Sequence, residues 1–303
     1  MFRLPWIVTA DELVDRAFRR ATKGSPDGRK KIQRARNVIT GELQRYVKGF
    51  PSFDQLHPFY REVLDAAVDI DGLRMALGAV DGARKKCRSV ARATLRRKRR
   101  REEVDVSAAF GRMASVLDDV DEQLLFLQNA RRTISRIPDI DVDTPTVVLV
   151  GYPNVGKSSL LRRLSRAKPE VAPYPFTTTG LQLGHFTVEK GYVEHAIQVV
   201  EAPGLFDRPA SKKNRVEKQA VAAIAHLADV IVFLFDPTSH CGYPLEDQEQ
   251  LLESIKQEME LPIIVVDGKA DLGGYDRPYL RVSAATGDGV ERLREKMVEC
   301  LDF

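Results

Sequence analysis

VVLVGYPNVGKS, residues 147–158, is the stretch whose reading decides the fold. Four apolar residues run straight into GxxxxGKS, and a helical segment with Leu160, Leu161 and Leu164 follows. In that context the string is a triphosphate-binding loop set between a strand and a helix. Gly151 and Gly156 let the backbone wrap closely round an anion, so that successive N–H groups and the N-terminus of the next helix point at it. Lys157 brings a positive charge to the β and γ phosphates, and the Ser158 hydroxyl is placed to ligate Mg²⁺.

Outward from this loop the pattern alternates strand with helix. Strands are expected at residues 147–150, 181–188, 196–200, 230–235, 263–266 and 279–282, with a last helix over 290–300. The alternation implies an α/β domain, a doubly wound and mostly parallel sheet with ligands at the carboxyl ends of its strands. Upstream, residues 1–137 read almost entirely as helix, an all-α bundle. Thr9 and Glu12 have capping-box spacing, the loop at residues 23–28 starts a second helix, and Met113, Leu117, Val120, Leu124, Leu127 and Ile134 form one helical stripe. Pro138, Pro145 and alternating acids mark a linker. The division expected is a basic helical domain over 1–143 and a nucleotide-binding domain over 144–303.

A composition of 43% hydrophobic and 30% charged residues describes a globular chain. No run of eighteen apolar residues exists, so no membrane span is expected. The N-terminus lacks an apolar leader core, and Cys87, Cys241 and Cys300 share no metal spacing; both point to a reducing, cytoplasmic compartment. The net charge of +4 hides an asymmetry: residues 1–143 hold 29 Lys plus Arg against 21 Asp plus Glu, the remainder 18 against 22. Between Arg84 and Arg101, eleven of eighteen residues are basic and none is acidic. Unbroken positive charge repels itself and needs a polyanion such as nucleic acid; a solvated helix end is the competing reading.

The phosphate loop alone does not choose the base. Three later elements, in the right order, do. Glu201-Ala-Pro-Gly204 follows a strand, where an acid faces Mg²⁺ and a glycine N–H senses the γ-phosphate. Gly268-Lys269-Ala270-Asp271 follows another; an Asp there accepts hydrogen bonds from N1 and the exocyclic amine of guanine, which adenine does not offer. Ser283-Ala284-Ala285 follows the last strand, where backbone N–H groups can bind the guanine carbonyl. Together they favour GTP.

These residues resemble the translation-factor-related GTPases and, within them, the Obg–Nog1 group. Tyr174-Pro-Phe-Thr-Thr178 looks like that group's first switch. Residues 204–209 (GLFDRP), Asn214 with Glu217 and Gln219, residues 226–229 (HLAD) and residues 236–243 (DPTSHCGY) with Leu245, Glu246 and Gln248 are similar to the Nog1 family, in its shorter archaeal form. The resemblance implies a GTPase of large ribosomal subunit assembly, with ribosomal RNA and subunit precursors as partners of the basic helices and assembly-factor proteins nearby. It implies that Asn154, Val155, Gly156, Lys157, Ser158 and Ser159 hold GTP or GDP and Mg²⁺. Thr178, or Thr177 one register away, joins Ser158 and Glu201 at the metal. Gly204 anchors the second switch, Lys269 and Asp271 hold the base, and Ser283, Ala284 and Ala285 close over it. Lys157, Thr178, Gly204 and Asn154 are the catalytic set. Asn154 resembles the K⁺ ligand of cation-activated relatives; shaping the loop is the competing reading.

The chain departs from the common pattern at three places. Glu201 stands where Asp is usual. Gly268 replaces an Asn that contacts the base and ties the base loop to the phosphate loop. Leu205 takes the place of the water-orienting glutamine of Ras-type enzymes, so slow intrinsic hydrolysis is expected. Two other functions remain open at this level: a switch that docks only protein, and a degenerate nucleotide-binding scaffold without turnover.

Overall fold

The structure is a computed structural model, and it describes residues 4–24, 27–96, 104–137, 139–174, 180–190, 192–208, 213–273 and 276–301. Backbone contacts divide the chain into two compact units: residues 1–55 with 67–135, and residues 56–66 with 136–303.

The first unit is helical. It holds α1 (Ala10–Thr22), α2 (Gly28–Gly49), α4 (Ile70–Arg96), α5 (Val106–Asp118) and α6 (Asp121–Ile134). The Thr9 hydroxyl accepts from the Glu12 N–H at 3.3 Å, capping α1. Each helix buries one face, with Leu13 and Ala17, Ile32 and Ile39, Leu73 and Val80 among the fully enclosed residues. The stripe from Met113 to Ile134 is buried throughout, yet it runs over two helices, because the chain bends at Asp119 and Val120. Periodicity carries through that bend, which is why the sequence reads as one continuous stripe. Trp6 is 58% exposed, its ring facing the Arg131 guanidinium at 4.7 Å, and its neighbour Ile7 is fully buried just before α1. Within the basic run, Arg84 and Lys85 both pair with Asp81, at 2.7 and 2.8 Å, so its first turn has a local counter-charge. Arg97 to Arg101, its densest part, lie outside the described residues.

The second unit is the α/β domain. In chain order it contains most of α3 (Pro58–Val68), then β1 (Thr146–Val150), α7 (Lys157–Leu164), β2 (Glu170–Ala172), β3 (Leu181–Lys190), β4 (Val193–Glu201), α8 (Arg215–Leu227), β5 (Val230–Phe235), α9 (Leu245–Glu258), β6 (Ile263–Asp267), β7 (Leu280–Arg281) and α10 (Val290–Cys300). The sheet runs β2-β3-β4-β1-β5-β6-β7. Every pairing from β4 through β7 is parallel, whereas β2, β3 and β4 pair antiparallel. All five residues of β1 are buried, as a central parallel strand covered on both faces requires. β2, three residues at the sheet edge, carries too little pattern to be read from sequence.

The unit boundaries differ from the sequence division at residue 143. Helix α3 lies in the helical stretch of sequence but packs with the α/β unit. The Tyr60 hydroxyl donates to the Ile140 carbonyl at 2.6 Å and accepts from the Ile140 N–H at 2.9 Å, and burial pushes its pKa up to about 12. Phe59 stacks on Tyr174 at 6.5 Å, and the buried Tyr174 hydroxyl reaches the Ala220 carbonyl at 3.2 Å. Among the described residues no helix is long and apolar enough to cross a membrane.

Candidate nucleotide site

Loops at the carboxyl ends of β1, β4, β5, β6 and β7 converge on one region. After β1 the backbone turns at Gly151, φ +143°, where a Cβ would lie 2.5 Å from the Leu234 carbonyl oxygen. No side chain fits there, so glycine is needed for the loop to pass over β5. Asn154 has φ +62°, a left-handed conformation that asparagine tolerates, so its loop-shaping role has a direct geometric basis. Gly156 then caps α7, whose first residue is Lys157.

Lys157 is buried, and its ammonium donates to the carbonyls of Gly151 at 2.9 Å and Tyr152 at 2.7 Å. Burial pushes its pKa below the usual lysine range, against the pull of Glu201 and Asp207. The Ser158 hydroxyl donates to Glu201 Oε1 at 3.0 Å, while Glu201 Oε2 is buried without a hydrogen-bond partner. Burial raises the Glu201 pKa, with Ser158 and Lys157 opposing. A hydroxyl beside a carboxylate oxygen that has no donor is a hard-oxygen pair suited to Mg²⁺, so these residues fit the metal the loop implies. The longer Glu201 side chain thus already touches Ser158. Thr177 and Thr178, expected as a further ligand, lie outside the described residues. Gly204 is exposed three residues beyond Glu201, and Leu205 is buried, its side chain turned from solvent.

Beside the phosphate loop is a cavity of about 240 Å³, lined by Val155, Ser159, Lys269, Asp271, Ala284 and Ala285 among others. Three loops far apart in sequence meet in it. The Asp271 carboxylate is aimed by Ser283, whose hydroxyl donates to Oδ1 at 2.5 Å. Fully buried Ser283 is therefore an orienting side chain, a role its sequence position did not disclose. Lys269 has φ +54° and its ammonium is 2.6 Å from Asp236 Oδ2. Asp236, at the end of β5, is fully buried; burial acts to raise its pKa, but Lys269, Thr238 and the Cys241 N–H together hold it below the carboxylate range. Behind Gly268, Asp267 is fully buried at 3.2 Å from Arg277 Nε, with Arg277 lying over the Phe235 and Tyr279 rings. His226 is exposed near the end of α8. Cys241 is buried in the β5–α9 loop, and no group of three metal-ligating side chains occurs among the described residues.

Comparison with known proteins agrees with this geometry. The family described as NOG1 N-terminal helical domain matches residues 2–141, and that described as 50S ribosome-binding GTPase matches residues 146–269. An uncharacterized protein of Methanocaldococcus jannaschii is 32% identical over 91% of this chain and 82% of its own length. Nucleolar GTP-binding protein 1 of Saccharomyces cerevisiae is 32% identical over 89% of this chain but only 44% of its own, and that of Drosophila melanogaster 34% identical over 80% and 38%. The chain thus spans less than half the length of these eukaryotic relatives. With its helical N-terminal half, its phosphate loop on β1 and both family matches in register, the chain belongs to the Nog1 family of P-loop GTPases.

Proposed function

We propose that the protein is a cytoplasmic GTP-dependent switch acting on large ribosomal subunit precursors, its helical unit contacting ribosomal RNA. One observation carries the nucleotide half: the 240 Å³ cavity is lined jointly by the phosphate loop, the Lys269–Asp271 loop and the Ala284–Ala285 loop. On this reading Asn154 to Ser159 hold the phosphates, Lys157 neutralises them, and Ser158 with Glu201 holds Mg²⁺. The metal supplies charge stabilisation on the phosphate oxygens. Lys269 and Asp271 read the base, and backbone N–H groups of Ser283, Ala284 and Ala285 face its carbonyl. Leu205 cannot orient water, so intrinsic turnover is slow. K⁺ held at Asn154 supplies further positive charge, and replacing KCl by NaCl is expected to lower turnover at least severalfold; equal turnover in the two salts removes K⁺ from the scheme.

The RNA half is supported by charge: 29 basic residues against 21 acidic in residues 1–143, and the unbroken run from Arg84 to Arg101. Titration of fluorescent GDP with Mg²⁺, competed by GTP and ATP, tests the first half; guanine nucleotides are expected to compete and ATP not. Binding of ribosomal RNA at 50 and 200 mM salt tests the second. With about five phosphate contacts, affinity is expected to fall roughly 500-fold between the two salts. An affinity indifferent to salt transfers the helical unit to protein docking.

A further inference from the structure

As sequence, residues 236–243 carry only a family resemblance, with no role of their own. In the structure they touch both halves of the nucleotide site. At one end Asp236 Oδ2 holds the Lys269 ammonium at 2.6 Å and also accepts the Cys241 N–H at 2.7 Å; Oδ1 accepts from the Thr238 N–H at 3.1 Å. At the other end the Tyr243 ring lies on the Tyr152 ring, centroids 4.3 Å apart, and the Tyr152 carbonyl accepts from Lys157 at 2.7 Å. The fully buried Gln248 amide fastens the two ends. It accepts from the Asp236 N–H at 2.8 Å and donates to the carbonyls of Asp236 and Tyr243, both at 3.1 Å.

Position 268 explains why such a connection is needed. Gly268 has no side chain to reach the phosphate loop. A Cβ there would sit 3.0 Å from the Phe235 carbonyl oxygen and 3.1 Å from Leu234 Cδ1, so a larger residue requires β5 to give way. Lys269, in a left-handed backbone conformation that costs a lysine about 1 kcal/mol, stays there under the hold of Asp236. We propose that residues 236–243 are a bridge locking the base-recognition loop to the phosphate loop, with Asp236 and Tyr243 as positioning residues that replace the missing Asn tie at Gly268. The inference rests on the guanine-nucleotide reading of the site.

The bridge predicts coupling. Tyr243 packs on the phosphate loop and is absent from the cavity lining, yet it controls how well the base is read. The experiment measures Kd for GDP and for inosine diphosphate, which lacks the 2-amino group, on the full chain and on Y243A, Y243F, D236N and Y243A/D236N. Y243A and D236N are each expected to weaken GDP about tenfold and to shrink the preference for GDP over inosine diphosphate severalfold. The double variant is expected to be no weaker than the worse single variant, and Y243F to bind as wild type. A residue that only stabilises the fold gives losses that multiply and leaves base preference unchanged; that result overturns the bridge, as does wild-type affinity in Y243A. Because Asp236 is fully buried, T238A, which removes a hydroxyl donor to Asp236 and lies outside the cavity lining, replaces it as the second arm if D236N does not fold. Failure of the wild-type chain to bind GDP overturns both the bridge and the nucleotide reading, whereas wild-type binding with an indifferent Y243A overturns the bridge alone.

Discussion

Replacing Asp271 by asparagine is expected to lower GDP affinity by roughly three orders of magnitude and to transfer preference to xanthosine diphosphate. On the proposed reading the carboxylate accepts from N1–H and from the 2-amino group of guanine, two charge-assisted hydrogen bonds of about 1.5–3 kcal/mol each, and about 1.4 kcal/mol is tenfold in affinity. Ser283 decides which way the new amide faces. Its hydroxyl donates to Asp271 Oδ1 at 2.5 Å, so the amide oxygen of the variant takes that place and its NH₂ turns toward the base. That NH₂ then faces the 2-amino group of guanine, donor against donor, while the C2 carbonyl of xanthine accepts from it. Competition of the two diphosphates against a fluorescent nucleotide reads the switch directly. A D271N variant that loses GDP without gaining the xanthine nucleotide would falsify the assignment of Asp271 as the base reader. Adding S283A should blur the switch, because the amide is then free to flip.

Replacing Lys157 by methionine is expected to weaken Mg²⁺–GDP binding by about a hundredfold or more while moving the melting temperature of the nucleotide-free protein only a few degrees. The loss follows from removing a charge that is already enclosed and needs no desolvation when phosphate arrives. The small effect without nucleotide follows from two opposed contributions. Burial lowers the folded-state pKa of Lys157, so the folded state binds its proton less readily than the unfolded state. That destabilisation appears as pH falls through the unfolded value of about 10.4, and it is complete below the folded one. Methionine relieves it, but leaves the Gly151 and Tyr152 carbonyls without their donor. In the wild type, nucleotide at a hundred times Kd adds about 2.7 kcal/mol, a melting shift of roughly 5–10 °C. Differential scanning fluorimetry should show that shift in wild type and about 1 °C or less in K157M, for which the same nucleotide adds only about 0.4 kcal/mol.

The core of the α/β unit was legible because one local rule governs it: a buried parallel strand is apolar throughout, and Thr146 to Val150 is buried at every position. The loops after the strands were legible for the same reason, since their chemistry is written in consecutive residues. What escaped reading is held by contacts between distant residues. Ser283 aims Asp271 from 12 positions away, and Lys269 reaches Asp236 across 33. Neither distance leaves a periodicity. The bend at Asp119 and Val120 escaped for the opposite reason, the buried stripe continuing through it without glycine or proline. The departures at Glu201 and Gly268 were visible as letters, but their setting was not. Glu201 keeps a hydrogen bond to Ser158, and a Cβ at Gly268 would press on the Phe235 carbonyl oxygen and Leu234 Cδ1 of β5 at 3.0 and 3.1 Å.

Helix α3 gives the chain a history as well as a shape. On the ribosome, residues 58–66 emerge some 80 residues before Ile140, the partner of Tyr60, so the helix is synthesised long before the sheet it belongs to. The α/β unit must therefore close round a piece made early, after the chain has gone off to build α4, α5 and α6 and come back. Folding strictly from the N-terminus, one finished unit after another, is not available to this topology. Severing the chain at residue 143 yields one fragment carrying a stray helix and another with the Phe59 side of Tyr174 laid bare, at the first residue of the segment read as the first switch. The α/β unit is complete only in an unbroken polypeptide.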